Sequence, residues 1–167
     1  MVALIYPAVH GAGLVWLITE WVKVGSFFAV VTDVKSFIAL WLVLFFGVSY
    51  VIINAAPIDK YNGVAFMLDL SEIALVFACF AALGYVVPRE PIYPLVFGLL
   101  AVVPIVQSFW NRAVGRTRLW LLSLVTTGAC IAVALTAQQY SWAVYPGTAV
   151  LYGLLIYYLC KRRYEAA

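Results

Sequence analysis

Four residues could carry proton chemistry in this otherwise apolar chain: Glu20, Asp69, Glu72 and the single histidine, His10. Asp69 and Glu72 stand i, i+3 and therefore share a face if the segment is helical. Two carboxyls held side by side away from water cannot both ionise cheaply, so at least one keeps its proton at neutral pH. Such a pair can act as a general acid, a proton relay or a cation site. The same residues allow a second reading. Asp69-Leu70-Ser71-Glu72 ahead of an apolar run has the form of a capping box, with Asp69 starting the helix and Glu72 closing back on it. The sequence leaves cap and buried pair open. His10 reads as a structural histidine or as a member of the site. Glu20 and Lys23 read as a surface pair at i, i+3, and Asp33 and Lys35 as a helix cap and an interfacial anchor.

The elements that must position these groups follow from composition. Of 167 residues, 66% are hydrophobic and 10% charged, and mean hydropathy is +1.05. No water-soluble fold hides so much apolar surface, and a helix needs ~20 apolar residues to cross the hydrocarbon of a bilayer. Six such runs are present: Ala3 to Val24, Val34 to Asn54, Val64 to Val86, Pro91 to Trp110, Arg118 to Ala137 and Ala143 to Cys160. The expectation is an all-α, polytopic membrane helix bundle of about six transmembrane helices, one domain over residues 1–167. The first run lacks a basic flank and a cleavage site, and reads as a retained helix rather than a signal peptide. Seven of the ten Lys and Arg residues (Lys60, Arg112, Arg116, Arg118, Lys161, Arg162, Arg163) fall in connections on one side, which predicts both termini to be cytoplasmic.

The basic residues form no stripe, so nucleic acid is not an expected partner. Trp21, Trp110, Trp120 and Trp142 at run ends read as an interfacial belt. Cys79, Cys130 and Cys160 read as packed small hydrophobes. An echo between Ile5-Tyr6-Pro7 through Gly11 and Ile92-Tyr93-Pro94 through Gly98 has the form of a three-plus-three repeat. Counting ~1.5 Å per residue puts Asp69, Glu72 and His10 at one depth, with Tyr50, Gln107, Thr126, Thr127 and Tyr157 near the same level, and Glu20 ~14 to 18 Å away. No Walker loop, dinucleotide fingerprint, metal-ligand spacing or paired haem histidines occur, so neither a metal nor a cofactor is expected.

Ordered short matches give the chain a family resemblance. Phe37-Ile38-Ala39, Gly47-Val48 with Tyr50, Ala56-Pro57, Asp69-Leu70-Ser71 and Leu83-Gly84, then Gln107, Leu119-Trp120-Leu121, Ser141-Trp142 with Pro146, and Tyr152-Gly153-Leu154 before Arg163-Tyr164-Glu165 resemble the pyripyropene-type integral membrane terpene cyclases of meroterpenoid biosynthesis. On that register Glu20 matches the family's catalytic glutamate, in a helix that carries Pro7. The family's first helix has no counterpart, and the last helix here holds no acid where the family has its second catalytic aspartate.

The resemblance implies a cofactor-free cyclase or isomerase of a prenylated lipid substrate, with Glu20 as proton donor assisted by Asp69 or Glu72. Its pocket would draw on His10, Trp16, Tyr50, Gln107 and Tyr157, with aromatic walls such as Trp16, Phe27, Trp41 and Phe80. Cyclisation needs one strong proton donor and dry aromatic walls that stabilise carbocations. Two rivals stand beside it: a small channel or proton-coupled transporter working as a homo-oligomer, with Asp69, Glu72 and His10 along its path, and a non-catalytic subunit. The expected surroundings are the lipid bilayer and a hydrophobic small molecule.

Overall fold

A computed structural model describes the backbone of residues 2–26, 28, 32–54, 60–84, 92–116 and 119–166; within these, the side chains of 2–7, 9, 10, 20, 24, 49, 51–54 and 162–166 lie outside the description. The described residues form an all-α bundle: α1 (Val2–Val24), α2 (Val34–Asn54), α3 (Gly63–Gly84), α4 (Tyr93–Leu100), α5 (Val103–Ala113), α6 (Trp120–Gln139) and α7 (Val144–Ala166), the last entered through a 3-10 turn at Ser141–Ala143. Among the described residues, four stretches are long and apolar enough to cross a membrane: Gly63–Gly84, Tyr93–Ala113, Trp120–Gln139 and Ser141–Lys161. Their outward faces carry large apolar side chains such as Leu121 (77% exposed) and Leu135 (63%). Apolar surface on that scale is stable against lipid and not against water.

The predicted run from Pro91 to Trp110 is not one regular helix. Pro104 has no N–H for the carbonyl of Leu100, and its ring crowds the preceding turn. The ladder accordingly steps down to i−3 bonds, Val102 N–H to Leu99 at 3.1 Å and Ile105 N–H to Val102 at 3.1 Å. That leaves the Ala101 carbonyl without its usual donor, and the Thr127 hydroxyl on α6 donates to it at 3.0 Å. A neighbouring threonine thus repairs the break, which is how apolar bundles tolerate proline.

Around this broken rod, α3 packs on α1, α2, α4 and α5, while α6 covers α4 and α5, and α7 closes back on α2. The core is large and apolar: Ile38, Leu42 and Phe46 of α2, Leu83 of α3, Val96 and Phe97 of α4, and Leu151 of α7 are all essentially inaccessible. Close approach is local. A Cβ on Gly147 of α7 would collide with a methyl of Val133 on α6, so only glycine fits there without a shift of Val133. Trp41 of α2 donates its indole N–H to the Thr148 carbonyl at 3.2 Å, and Asp33 caps α2 by accepting the Ser36 N–H at 2.9 Å. The cap reading of Asp33 therefore stands. Trp110, expected in the interfacial belt, is fully buried, whereas Trp21, Trp120 and Trp142 are exposed. Cys79 and Cys130 are buried, but Cys160, expected to pack, is exposed.

Candidate functional site

The start of α3 decides between the two readings of Asp69. Asn62 caps the helix: its side-chain oxygen accepts the Ala65 N–H at 3.0 Å, and its amide donates to the Ala113 carbonyl at the end of α5 at 2.8 Å. Asparagine in this place satisfies one of the orphan N–H groups of a first turn. The helix begins at Gly63, so Asp69 lies nearly two turns inside it and cannot be its cap. Asp69 and Glu72 are 2% and 1% exposed. The sequence Asp-Leu-Ser-Glu mimics a cap, but the motif sits too deep to work as one.

The surroundings of the pair are only half satisfied. Tyr61, just ahead of the helix and 38% exposed, donates its hydroxyl to Oδ2 of Asp69. Among the described residues, Oδ1 of Asp69 and both carboxyl oxygens of Glu72 have no hydrogen-bond partner. The indole of Trp110 stands close to Asp69, yet among the same residues its N–H closes no hydrogen bond, and the Ser108 hydroxyl is likewise unsatisfied. Orphaned buried polar atoms are rare and costly, and five in one half of the molecule mark it as special. Partial burial, and then the hydrogen bond to and the charge of Asp69, hold the Tyr61 phenol above the ordinary tyrosine range.

Neighbouring turns lock this end together. α5 ends in a Schellman motif: Gly115, at φ +70°, donates its N–H to Arg112 at 3.0 Å, and the Arg116 N–H reaches back to Asn111 at 2.7 Å. Only glycine takes that left-handed conformation without strain. The turn leaves the Arg116 guanidinium 5.8 Å from the Trp110 ring centroid, a cation–π distance. The buried Asn111 side chain donates to the Tyr158 hydroxyl at 3.0 Å and accepts from it at 3.2 Å, tying α5 to α7.

Glu72 is among the residues that line a partly open cavity between α2, α3, α5, α6 and α7. Phe45, Val103, Pro104, Leu122, Leu151, Leu154 and Leu155 supply its apolar wall, and Gln107, Ser123, Thr126 and Tyr158 its few polar groups. A mostly apolar pocket with a few convergent polar groups and one buried carboxyl is the usual form of a small-molecule site. Such a carboxyl can deliver a proton to a bound apolar molecule that water does not reach.

Of the residues singled out from sequence, Glu72, Gln107 and Thr126 share this cavity, and Asp69 lies one turn from Glu72 on the same helix. Tyr50, Trp16 and Tyr157 do not join them. Tyr50 is half-buried on α2 away from the lining. Trp16 packs against the core with the Lys35 ammonium 5.8 Å from its ring centroid. Tyr157 faces outward into a separate groove. The side chains of His10 and Glu20 and all of Phe27 lie outside the described residues. The backbone of Glu20 is near the end of α1 that meets the start of α2, opposite the end at which α3 begins. Trp41 and Phe80, expected as pocket walls, do not line the cavity: Trp41 is bonded to Thr148 and Phe80 lies against Gly13. Sequence reasoning missed Tyr61, Asn62, Asn111 and Tyr158. The polar pairs Tyr61-Asn62 and Trp110-Asn111 at run ends were the available signal.

Comparison with protein-family models, with curated proteins and with solved structures returns no match.

Proposed function

We propose that this chain is an integral membrane enzyme that cyclises or isomerises a prenylated lipid by general-acid protonation without a cofactor, and that Glu72 is the acid. One observation carries the reading: a carboxyl 1% exposed, with neither oxygen hydrogen-bonded among the described residues, on a residue that lines a cavity whose walls are mostly apolar. A carboxyl placed so is far cheaper to hold neutral than charged. It transfers its proton to an epoxide oxygen or an alkene carbon of the bound chain. The cation that develops is attacked by a second double bond, and the faces of Phe45 and Tyr158 stabilise it. Loss of a proton from carbon to the Glu72 carboxylate ends the sequence, so the product is an isomer of the substrate. Asp69, one turn away, assists by holding the neighbouring charge and proton. A relation to the pyripyropene-type cyclases belongs to the same proposal, with the acid moved from Glu20 to Glu72.

Purified parent protein and Glu72→Gln, presented with a prenyl epoxide, test this directly. We expect turnover to fall about 100-fold or more, with partial recovery in Glu72→Asp. Equal rates for parent and Glu72→Gln sink the assignment, and a loss confined to Glu20→Gln returns the role to Glu20.

The proposal includes six membrane crossings with both termini cytoplasmic. It is supported by Lys60, Arg112, Arg116 and Lys161, which belong to the ends of helices joined by the Asn62–Ala113 and Asn111–Tyr158 bonds. Cys160, the exposed thiol near that end, should then react with an impermeant maleimide only from the cytoplasmic side.

A second reading, proton-coupled transport, is favoured by the bond from the exposed Tyr61 to the buried Asp69, which links the acid pair to the bundle end. Proton-driven flux in liposomes that survives Asp69→Asn with Glu72→Gln counts against it.

A further inference from the structure

A second depression runs along the outside of the same helix pair. It is lined by Leu119, Trp120, Leu121, Leu122 and Val125 of α6 and by Tyr157 and Lys161 of α7, and measures about 810 Å³ with its open side. Leu122 belongs to both linings. On α7 the adjacent residues Tyr157 and Tyr158 divide between them, Tyr157 toward the groove and Tyr158 toward the cavity. The groove and the Glu72 cavity thus adjoin at Leu122, both bounded by α6 and α7.

The chemistry changes from one to the other. At depth there are Glu72 and hydrocarbon walls. At the outer end stands the ammonium of Lys161, i+3 from Tyr158 and i+4 from Tyr157, so it lies about one helical turn beyond both. Sequence continues the charge with Arg162 and Arg163. A basic group at the mouth of an apolar channel complements an anionic head on a hydrocarbon chain, and a lysine stem lying along apolar surface presents its charge at a membrane edge.

We infer that the Lys161 groove and the Glu72 cavity form one site for a single-chain prenyl amphiphile with a phosphate head, the head at Lys161 and the chain passing Leu122 to reach Glu72. The inference rests on the proposed role of the Glu72 cavity, and it adds the charge of the substrate's head and its path of entry. Leu122 is the gate residue of that path, and Lys161 positions the chain without touching the reacting atoms.

Binding to the full-length protein in neutral-lipid nanodiscs tests it, with farnesyl monophosphate, farnesol and inorganic phosphate as probes. Farnesyl monophosphate should bind at least about tenfold more tightly than farnesol, and Lys161→Gln should remove that difference. Inorganic phosphate alone should not bind measurably. Leu122→Trp should weaken both prenyl probes, and unchanged affinity in that variant overturns the path past Leu122; the readout is binding and not turnover, which separates this result from the catalytic test. Equal affinity for the two prenyl probes, or no effect of Lys161→Gln, overturns the head assignment. Phosphatidylglycerol displacing farnesyl monophosphate completely identifies a bulk-lipid groove and also overturns it. Should Leu122→Trp fail to fold, the Lys161→Gln comparison decides alone.

Discussion

The two ends of the bundle obey different rules. Where α2 and α7 begin, polar groups are matched: Asp33 caps α2, Tyr145 donates to the Thr32 carbonyl at 2.9 Å, and Trp41 donates to Thr148. Where α3 begins and α5 ends, Asp69, Glu72, Ser108 and Trp110 hold five buried polar atoms without partners among the described residues. The first arrangement is what stability alone selects. The second sacrifices stability for groups left free to meet something else, and local rules are most often broken at functional sites. The proposed role of Glu72 draws on this contrast.

That contrast can be broken experimentally. The largest expected effect is on activity: Glu72→Gln should lower turnover about 100-fold or more, while Asp33→Ala, which removes a cap, should leave turnover per folded molecule unchanged. Equal losses would erase the distinction between the ends. Next comes packing at the quiet end, where Gly147→Leu must push a side chain into Val133. Overpacking of this kind costs about 1–3 kcal/mol, measurable as a lower unfolding midpoint in detergent. Smaller again is Trp41→Phe, which removes one buried hydrogen bond at a cost of about 1 kcal/mol and should not alter turnover.

The smallest effect sharpens the active end through pH. The Tyr61 phenol is held above its ordinary value, chiefly by partial burial and then by Asp69. Folding therefore favours the protonated phenol. Its contribution is complete below the unfolded value of about 10 and declines as pH rises through and beyond it. Tyr61→Phe should flatten the alkaline limb of a stability–pH curve relative to the parent. A mutant curve parallel to the parent above about pH 10 would show that Tyr61 titrates without consequence.

Apolar length and charge placement made the helices legible, because a run of ~20 residues without charge has few alternatives to a helix. The start and end of α2 follow directly from Asp33 and the polar residues beyond Asn54. The acid pair was visible too, but the sequence could not separate cap from burial, since that turned on Asn62 taking the cap two turns earlier. Rotation about a helix was harder to read. Tyr157 was expected at the site and its neighbour Tyr158 lines the cavity, a shift of one residue that swings a side chain by about 100°. Counting along a span gives depth, not facing, and α7 is too uniformly apolar for periodicity to reveal its inner side. Trp110 was assigned to the interface because it ends an apolar run. It is buried because α5 continues to Ala113 and the Gly115 turn folds Arg116 back over its ring.

Pro104 both interrupts the α4–α5 rod and forms part of the cavity wall. The break and the wall are therefore one feature: the Thr127 hydroxyl, by bonding the Ala101 carbonyl, fixes the joint from α6, and a residue at 104 that restored the missing N–H would straighten the rod and reshape the chamber beside Glu72.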